Sequence, residues 1–574
     1  MEKGKQTYKL PEGWILDDLG NIAFVNMGQS PPSSSYNYSQ IGLPFYQGKS
    51  EFGDIYPVVE KYCSEPIKIV DSDHVLISVR APIGPTNLVK YKSCIGRGLA
   101  GIKAFGGMSG KFLLYQLRTL EKELQEKGTG TTFKSISKSI LEHTTFKIPP
   151  LQEQQRIVSK IETLFSELEQ AEKGLKKSKQ QLEVYKQVLL KTAFEGSLTE
   201  NWRKENNHES TEKLLERIKK ERHRRYKQEL EEWKDFVIQW EKRGKIGKRP
   251  VKPKMTKHSS EINKADYLDF INISPLWSLT KLSNITYYIT DGDHQAPPKA
   301  ESGIPFVTIS NIKNNKIDFT NTFYVDDLYY NSLLEYRKPQ KGDVLYTVTG
   351  SYGIPVCVDF QKKFCFQRHI GLLRPASLIN SYWLFYLMQT KQVFNQANNA
   401  ATGTAQKTVG LGSIRDFIIP VCCEEEQSQI VQKLDSQFSI IESLGQIIET
   451  SLNQSEVLVQ SILKNAFEGK LVEQVQTDEP SIELINRITK EKEMFLKEQN
   501  EFKMKAPKKI RKMSKSLSIE EVLKTSDKPI LAKTVWQESK HNEHIEDFYA
   551  ELKELGDRVV EVKEGLNSLL SFKK

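Results

Sequence analysis

The chain of 574 residues carries 83 Lys and Arg against 73 Asp and Glu, a formal net charge of +10. No apolar run approaches the ~20 residues that a membrane-spanning helix needs, and the Met1–Lys5 start does not have the pattern of a signal peptide. The six cysteines form no Cys-x-x-Cys pair, which argues against a disulfide framework or a zinc site. These features favour a soluble protein of the cytoplasm.

Residues 1–150 are predicted to form an α+β domain. Short β-branched runs such as Val75–Val79 are interrupted by Gly, Pro, Asn and Ser clusters, and a more helical stretch covers Lys111–Glu126. A domain of this length can bury its own core. A loop that contains Thr129-Gly130-Thr131 follows, and Pro149-Pro150 mark the start of the next segment.

Residues 151–200 predict a long helix with a coiled-coil seam. Apolar residues recur at alternating spacings of three and four for about four to five heptads, which favours helices that pack lengthwise. About 40 residues at ~1.5 Å each make a rod of roughly 60 Å. With Ile157 as position a, the a positions are Ile157, Leu164, Ala171, Ser178 and Tyr185, and the d positions are Ile161, Leu168, Leu175, Leu182 and Leu189.

Residues 201–272 hold most of the net charge. Asn201–Lys257 contains 19 Lys and Arg against 10 Asp and Glu. The segment begins as a predicted helix around Leu214 and Ile218 and ends in a basic tail, 242–257. A solvated linker is the ordinary interpretation of such a charge run, and contact with phosphates is the alternative.

The helical segment occurs a second time. Gln154–Glu200 and Gln427–Glu473 are identical at 20 of 47 aligned positions, with a constant offset of 273 residues. A repeat of this length is far longer than a solenoid unit and indicates a duplicated half-protein. Each helix has one narrow apolar stripe, so the two most simply pair with each other, because a helix on its own domain usually needs a wider stripe. The second helix, residues 421–473, keeps the heptad frame, with Ile430, Leu444 and Leu458 at a and Leu434, Ile441, Ile448 and Ile462 at d.

The remaining segments are duplicated in outline. Residues 273–420 repeat the first domain, and residues 474–574 are predicted as a helical and basic extension that echoes residues 201–272. The shared anchors are Trp14 and Trp277, Arg97 and Arg368, and the loops Thr129-Gly130-Thr131 and Thr402-Gly403-Thr404. Between these anchors the two domains are unlike. Two domains that recognise different targets would show this pattern. The alternative is that the two sequences diverged after duplication without any functional constraint.

Several of these motifs resemble those of the specificity (S) subunit of type I restriction–modification systems. They are the Pro-Pro-Leu-Gln-Glu-Gln-Gln-Arg-Ile-Val run at 149–158, Ala-Phe-Glu-Gly-x-Leu at both helix ends, and the Thr-Gly-Thr loops. The second helix departs from the pattern, because Cys422-Cys423-Glu424-Glu425-Glu426-Gln427 replaces the usual Pro-Leu-x-Glu-Gln. The resemblance covers residues 10–473, and Asp547–Leu552 is similar to the tails of some members.

The resemblance implies an α+β fold in which two α/β target recognition domains are separated by two long antiparallel coiled-coil helices, with a pseudo-two-fold internal repeat. It implies that the two domains read the two parts of an asymmetric, bipartite site in double-stranded DNA, with the helices as a spacer. It also implies that the chain docks two modification (methyltransferase, M) subunits, which restriction (R) subunits join. The chain itself is expected to be non-catalytic and to bind no cofactor, while the partners use S-adenosylmethionine, ATP and Mg.

The side chains best suited to reading bases are Arg or Lys for guanine, Asn or Gln for adenine, and carboxylates for cytosine. The candidate DNA-binding residues of the first domain are Gln29, Ser30, Lys49, Arg80, Arg97, Thr131 and Lys134. Those of the second domain are Asp293, His294, Gln295, Lys313, Asn314, Arg368 and Lys407. A plain surface or capping role is the alternative for each. The candidates for helix–helix and partner contacts are Ile157, Ile161, Leu164, Leu168, Phe194, Ile430, Leu434, Ile441, Leu444 and Phe467.

Two other classes of protein remain as alternatives. A stand-alone DNA methyltransferase or nuclease would need a catalytic motif, yet the sequence has no Asp/Asn-Pro-Pro-Tyr/Phe motif and no Gly-rich nucleotide fingerprint. The run Gly42–Ser50 is not a P-loop, since Leu43 occupies the position of the first Gly. His541 and His544 lack a nearby Cys and a His-Glu-x-x-His pattern, so we expect no metal there. A coiled-coil interaction protein that does not bind DNA is the other alternative.

Overall fold

The computed structural model describes most of the chain. Its residues fall into two compact units, Met1–Ile157 together with Glu473–Lys574, and Val158–Val472. Among the described residues no helix is both long enough and apolar enough to cross a membrane. The described residues are 10–130, 134–247, 249–253, 262, 270, 272–294, 296–404, 406–505, 517–526, 528–541, 545–564 and 567–573.

The first domain is built on two β-sheets. Strands β2, β10, β7 and β8 form an antiparallel sheet in that order, and β3, β5, β4, β9 and β6 form the second, in which β4 and β9 are parallel. Strand β1 pairs with β11, so the chain enters and leaves the domain side by side. The strands are β1 (Ile15–Asp18), β2 (Ala23–Met27), β3 (Tyr36–Asn37), β4 (Leu43–Tyr46), β5 (Lys61–Cys63), β6 (Ile69–Val70), β7 (Val75–Ser78), β8 (Thr86–Leu88), β9 (Ser93–Ile95), β10 (Leu99–Ala104) and β11 (Thr145–Ile148). The helices are α1 (Leu19–Ile22), α2 (Gly110–Thr119), α3 (Glu121–Glu126) and α4 (Lys138–Glu142).

The core of the first domain lies between these layers. All four residues of β7 are buried, because α2 packs on β7, β8 and β10 and the second sheet covers the other side. Leu76 and Leu99 of the first sheet pack against Tyr46, Val70 and Ile95 of the second. A strand that is covered on both faces has a continuous apolar run, which is why this strand could be predicted from the sequence.

Three helices follow the first domain. Helix α5 (Leu151–Phe194) has 44 residues, and it is followed by α6 (Glu200–Glu205) and α7 (Thr211–Lys242). Gly196 lies two residues after the end of α5 and has φ +88°, a left-handed conformation that commonly terminates a helix. The predicted charged linker therefore contains a helix of 32 residues, and α7 packs on the second domain.

The second domain repeats the plan of the first. Strands β13, β21, β18 and β19 form the antiparallel sheet, β17, β14 and β20 form the other sheet with β14 parallel to β20, and β12 pairs with β24. The strands are β12 (Ser278–Lys281), β13 (Thr286–Asp291), β14 (Ile304–Val307), β15 (Ile312–Lys313), β16 (Lys316–Ile317), β17 (Phe323–Val325), β18 (Val344–Thr347), β19 (Pro355–Cys357), β20 (Cys365–Phe366), β21 (Ile370–Pro375), β22 (Ala401–Thr402), β23 (Thr408–Val409) and β24 (Ile418–Val421). The helices are α8 (Leu282–Ile285), α9 (Asp327–Ser332), α10 (Ser381–Leu387), α11 (Lys391–Ala400) and α12 (Leu411–Arg415).

The second long helix matches the first in length and position. Helix α13 (Glu424–Phe467) also has 44 residues, and its limits are those of α5 shifted by 273. The two helices are antiparallel: Lys179 Nζ lies 2.6 Å from Glu449 Oε2, while Phe194 shares a buried cluster with Ile430 and Leu434. The predicted fold class, with its duplicated α/β domains and paired long helices, is confirmed.

Burial along α13 differs from the predicted seam. The d positions Leu434, Ile441 and Ile448 are buried, but the a positions Leu444 and Leu458 are 43% and 47% exposed. The a position Ile430 is buried as predicted, and so are the d positions from Leu434 to Ile462. The d positions therefore form the buried line of α13, while its a positions become more exposed further along the helix.

The C-terminal extension begins with a helix that corresponds to α7. Helix α14 (Ser481–Lys505) packs on the first domain, where the Phe495 ring lies 5.3 Å from Phe24 and 5.5 Å from Phe105 between centroids. The start of each helix is fixed in the same way. Ser481 Oγ donates to Gly13 O at 2.6 Å, and Thr211 Oγ1 donates to Leu276 O at 2.8 Å. The two extension helices are therefore equivalent parts of the duplicated unit.

The last part of the extension is a small α/β module rather than a helical and basic tail. It contains α15 (Ile519–Lys524), β25 (Ile530–Leu531), α16 (Ala532–Glu538), α17 (Ile545–Leu555), β26 (Val559–Glu564) and β27 (Asn567–Phe572), with sheet order β25, β27, β26. Val522, Val535 and Phe548 lie in its core. Residues 517–573 hold 12 Asp and Glu against eight Lys and Arg, so the module is acidic. The Lys and Arg residues of 508–515, on which the prediction of a basic extension depends, lie outside the described residues. The strands of the module are short, with two residues in β25 and six each in β26 and β27.

Candidate nucleic-acid interface

Four loops of the first domain meet at one edge of its antiparallel sheet. Gly28 N donates to Leu99 O at 2.9 Å, which ties the end of β2 to the turn between β9 and β10. Val79 N donates to Gly98 O at 2.9 Å, and Ile136 N donates to Val79 O at 3.0 Å, so the end of β7 and the Thr-Gly-Thr loop join the same turn. We call this surface the first loop edge, and it consists of residues 28–30, 79–80, 95–99, 129–130 and 134–136.

Most of the predicted DNA-binding side chains of the first domain lie on the first loop edge. Gln29, Arg80, Arg97 and Lys134 are exposed, and the half-buried Ser30 accepts a hydrogen bond from Arg97 N at 3.3 Å. Residues that are far apart in the sequence thus form one basic, solvent-facing surface. Thr131, the remaining candidate in this loop, lies outside the described residues.

Lys49 lies beside this edge, just after β4. A Cβ added to Gly98 would come within 2.3 Å of Gln47 O, so the end of β4 closely approaches the loop that carries Arg97. Gln47 and Lys49 are both exposed. Gln47 was not among the candidates from the sequence. The glycines on either side of Arg97 were the signal that another backbone approaches closely at this point.

The second domain has the same arrangement at the corresponding edge. Arg368 N donates to Asp293 O at 3.2 Å, Val348 N to His369 O at 2.9 Å, and Val409 N to Val348 O at 2.8 Å. We call this surface the second loop edge, and it consists of residues 292–294, 348–350, 366–370 and 406–409. Two of these bonds correspond to bonds of the first loop edge, with Val348 in the place of Val79 and Val409 in the place of Ile136. The third differs, because the strand end donates in the first edge (Gly28 N to Leu99 O) and the turn donates in the second (Arg368 N to Asp293 O).

A glycine is required at the same point of both edges. A Cβ at Gly28 would lie 2.2 Å from Gly96 O, and a Cβ at Gly292 would lie 1.9 Å from Phe366 O. Neither distance is compatible with a side chain, since the contact is to backbone. The close approach of strand end and turn is therefore built into both domains.

Some side chains of the second loop edge make hydrogen bonds or ion pairs with neighbouring side chains. Asp293 Oδ2 accepts a hydrogen bond from Tyr329 OH at 2.7 Å, and burial and that carboxylate raise the pKa of Tyr329. His294 Nε2 lies 2.9 Å from Asp291 Oδ2, and Arg337 Nη2 lies 3.5 Å from Asp291 Oδ1.

The two basic candidates of this edge, Arg368 and Lys407, are exposed. Burial and the neighbouring Arg368 lower the pKa of His369. Gln295, the last candidate of this loop, lies outside the described residues. Gln406 is exposed beside Lys407 and was not predicted. Its side chain lies near Gly350, where an added Cβ would be 3.2 Å from Gln406 Nε2.

Lys313 and Asn314 lie on a β-hairpin formed by β15 and β16. Asn314 and Asn315 have φ of +49° and +57°, as the tight turn of such a hairpin needs, and Asn315 Nδ2 donates to Pro355 O at 2.9 Å. Lys313 Nζ lies 3.1 Å from Asp318 Oδ2. Hydrogen bonds from Thr320, followed by the one from Lys313, lower the pKa of Asp318 to about 2. Both candidates are exposed on an ordered turn at the side of the second domain.

A tryptophan–glutamate bond joins each domain to its long helix. Trp14 Nε1 donates to Glu153 Oε1 at 3.0 Å, and Trp277 Nε1 donates to Glu426 Oε2 at 2.9 Å. Both carboxylates are buried, and burial raises the pKa of Glu153. Glu426 also pairs with Arg203. Thus the replacement at 422–427, which departs from the family pattern, leaves this connection intact.

The predicted helix contacts divide into buried and exposed residues. Leu164 and Leu168 are half-buried, and Leu444 is exposed beside Ile440 and Ile447, which are 52% and 58% exposed. The buried members are Ile157, Ile161, Phe194, Ile430, Leu434, Ile441 and Phe467.

A second exposed apolar surface occurs on both helices. Val184 and Tyr185 of α5 are 63% and 48% exposed, and Val457 and Leu458 of α13, at the same offset of 273, are 69% and 47% exposed. Exposed apolar side chains therefore occur at equivalent places on the two helices. We call these two pairs the paired apolar patches.

Within the described part of the chain, no group of three or more His, Cys, Asp or Glu side chains is arranged to hold a metal ion. His541 Nε2 contacts Glu551, which Lys540 also approaches at 2.8 Å. His544 lies outside the described residues.

The fold defines a class of duplicated proteins, in which two α/β domains of one design alternate with two long helices that pair antiparallel. Comparison with known proteins identifies the family within that class. A family model for the type I restriction modification DNA specificity domain matches residues 11–177 and again 280–450. The chain therefore belongs to the family of type I restriction–modification specificity subunits, as its motifs predicted.

Individual specificity subunits are also similar to this chain in sequence. The EcoBI specificity subunit of Escherichia coli is 21% identical over 480 residues, which is 82% of this chain and 89% of that protein. The EcoKI specificity subunit of Escherichia coli K12 is 22% identical over 504 residues, covering 83% and 92%. The MjaX specificity subunit of Methanocaldococcus jannaschii is 40% identical over 199 residues, and that match spans 34% of this chain and 46% of the relative.

A solved structure has the same fold. Its chain comes from work on complex assembly and conformational transition of the type I R-M system, is 18% identical and aligns with a TM-score of 0.54. The alignment covers 81% of the present chain and 100% of that chain.

Proposed function

We propose that this chain gives a type I restriction–modification complex its DNA sequence specificity, by reading the two parts of an asymmetric bipartite site with its two α/β domains. The observation that supports this most directly is the pair of loop edges. Their backbones share two hydrogen bonds, whereas the side chains differ: Gln29 and Ser30 in one domain correspond to Asp293 and His294 in the other. One scaffold with two sets of side chains suits two different half-sites.

The chemistry of the exposed side chains fits readout of a duplex. Arginine is the usual partner of guanine and glutamine of adenine, while phosphates are contacted by lysine, arginine and backbone N–H groups. Arg97 and Arg368, like Lys134 and Lys407, occur in both edges and are best suited to phosphates. Positions that differ between the edges are best suited to bases.

We further propose that the chain docks two copies of a modification subunit through the paired apolar patches. Two equivalent surfaces on one chain suit two copies of one partner. Restriction subunits would join through this assembly. Methyl transfer and DNA cleavage then belong to the partners, which would use S-adenosylmethionine, ATP and Mg, and this chain would act in the cytoplasm without a catalytic site or cofactor of its own.

The specificity proposal is tested by sequencing methylated adenines after co-expression of the chain with its modification subunit. We expect a bipartite motif with an unspecified spacer. Replacing residues 1–150 by those of another family member should alter one part of the motif and leave the other unchanged. A change in both parts, or a motif without two parts, would contradict the proposal.

The docking proposal is tested by the mass of the complex. Tyr185→Asp places a carboxylate in one patch and should reduce the number of bound modification subunits from two to one, and adding Leu458→Asp should remove both. Gln180→Asp introduces the same carboxylate at an exposed polar position of the same helix and should leave two subunits bound. Retention of both subunits by the double variant would rule out these patches.

A further inference from the structure

Helix α7 runs along the second domain towards the second loop edge. Thr211 at its start bonds to Leu276 O at 2.8 Å, Arg222 Nη1 donates to Asn284 O at 3.1 Å, and Glu229 accepts a hydrogen bond from the hydroxyl of Tyr288. Helix positions 211, 222 and 229 thus meet chain positions 276, 284 and 288 in the same order. The helix is parallel to the path that leads into β13.

The helix is longer than that path. From Tyr288, β13 continues three residues to Asp291, where the second loop edge begins, a distance of about 10 Å at ~3.3 Å per residue. From Glu229, α7 continues 13 residues to Lys242, a distance of about 20 Å at ~1.5 Å per residue. A course parallel to β13 would therefore take the end of α7 to the level of the second loop edge and about 10 Å further.

The chain beyond α7 turns back and is fixed to the helix. Trp240 Nε1 donates to Gly247 O at 3.2 Å, and Trp233 Nε1 donates to Pro250 O at 3.0 Å. Gly244 and Gly247 have φ of +75° and +84°, left-handed conformations that a tight reversal uses. These bonds distinguish the segment from a solvated linker, because they hold its backbone against the helix.

Positive charge is concentrated at this turn. We call the cluster Lys242, Arg243, Lys245, Arg249 and Lys252 the basic tip, and all five side chains are exposed. Lys252 Nζ lies 5.8 Å from the centre of the Trp233 ring. Within the described part of the chain, none of the other four is in an ion pair. Cations that are exposed, unpaired and held on an ordered scaffold attract a polyanion.

We infer that the basic tip binds the phosphate backbone of DNA next to the half-site that the second domain reads; this inference rests on the proposed function. On that course the tip lies beyond the edge on which Arg368 and Lys407 are exposed, and a duplex bound there continues past that edge. Phosphates occur along a duplex every few ångströms, so five cations at its side find partners without any need for sequence. The tip therefore adds affinity and salt dependence, not specificity.

The test uses the full chain in complex with its modification subunits and a duplex that carries the methylated motif. The tip variant is Lys242→Ala, Arg243→Ala, Lys245→Ala. The control variant is Lys213→Ala, Lys219→Ala, Lys220→Ala, which removes the same charge from exposed positions nearer the start of the same helix. Dissociation constants are measured by fluorescence anisotropy over a range of salt concentrations, with a scrambled duplex as the reference for specificity.

We expect the tip variant to bind at least tenfold more weakly at ~0.15 M salt, and the slope of log K against log salt to be shallower by about 2–3, since each phosphate contact contributes ~0.9. The ratio of affinities for specific and scrambled duplexes should not change. Shortening the duplex beyond the second half-site should weaken the wild type but not the tip variant.

A tip variant with the affinity and slope of the wild type, or a control variant with the same loss, would overturn the inference. So would a tip variant that keeps its DNA affinity and loses a modification subunit, since the tip would then bind protein. If the wild type itself does not discriminate the methylated motif from the scrambled duplex, the proposed function fails instead, and the two failures are thereby distinguished.

Discussion

The two α/β domains share one backbone plan but have different polar side chains at an equivalent buried position. At the start of β18, Asp343 accepts hydrogen bonds from Arg374 Nε at 2.8 Å and Nη2 at 2.7 Å, and both side chains are buried. The strand register places His74 and Lys103 at the equivalent positions of the first domain. One domain thus has a buried ion pair where the other has a buried histidine.

This difference shows what the duplicated fold requires and what it leaves open. Two hydrogen bonds of the loop edges and the glycines Gly28 and Gly292 are kept, because they are contacts of backbone with backbone. The buried polar groups and the exposed side chains of the edges are not kept. A scaffold that keeps its loop geometry through such changes can acquire a new set of reading side chains without losing its fold.

The largest effect is expected from breaking the buried ion pair. Asp343→Asn removes one charge and leaves Arg374 buried without its partner, which costs about 3–5 kcal/mol of unfolding free energy. Hydrogen exchange of β18 and β21 peptides in the full chain should report the loss. Asp359→Asn removes a carboxylate that is exposed on the same domain and serves as the control. Exchange rates that stay at the wild-type level in β18 would contradict the structural role of the pair.

A smaller loss is expected from filling the space at the second loop edge. Gly292→Ala brings a Cβ against Phe366 O, and the local shift that follows costs about 1–3 kcal/mol. DNA binding should weaken with it, because residues 293 and 294 move. Gly412→Ala, where nothing lies within 4 Å of the added Cβ, is the matched control in the same domain. Equal stability and DNA affinity of the two variants would show that the edge tolerates the shift.

Part of this architecture could be predicted from the sequence because it depends on local periodicity. The heptads gave both long helices, and their limits differ by the same 273 residues as the repeat. The residues that form the seam could be predicted less well. The heptad frame placed Leu444 at a contact position, but which stripe of the helix is buried depends on the partner helix.

For the loop edges, the sequence predicted which types of residue they contain but not how those residues are arranged. Arg80, Arg97 and Lys134 were chosen by residue type, and the sequence gave no distance between them. Asp293 was chosen as a base reader, and its bond to Tyr329, 36 residues away, has no local signal. Gln47 and Gln406 were missed because glutamine is common on surfaces and only the fold brings them to the edges.

The next prediction tests whether Arg97 and Arg368, which occupy the same place in the two loop edges, have the same role. Arg97→Ala and Arg368→Ala should each weaken binding by about 1–3 kcal/mol and reduce the salt slope by about 1, without relaxing the motif, if both contact phosphates. Gln29→Ala should instead alter the first part of the motif alone. Methylation sequencing together with anisotropy at several salt concentrations separates the two results. A relaxed motif in either arginine variant would assign that residue to a base.

The smallest effect concerns pH and the buried His74 of the first domain. Burial is the main cause that lowers the pKa of His74; Lys103 lowers it further, while Asp71 and the hydrogen bonds at Asp71 and Ser72 oppose the shift. The native state therefore keeps this histidine neutral at a pH at which the unfolded chain, with a pKa of about 6.5, takes up a proton. The stability that the neutral form contributes is fully present above about pH 6.5 and is lost as the pH falls towards the native pKa.

His74→Gln removes the titrating group and should abolish that loss. Hydrogen exchange of the β7 peptide at pH 7.5 and 5.5, corrected for intrinsic rates, measures it, and the β18 peptide of the second domain, which has Asp343 at this position, is the reference in the same molecule. If wild-type β7 and β18 lose protection equally on acidification, His74 does not make the first domain the more acid-sensitive of the two.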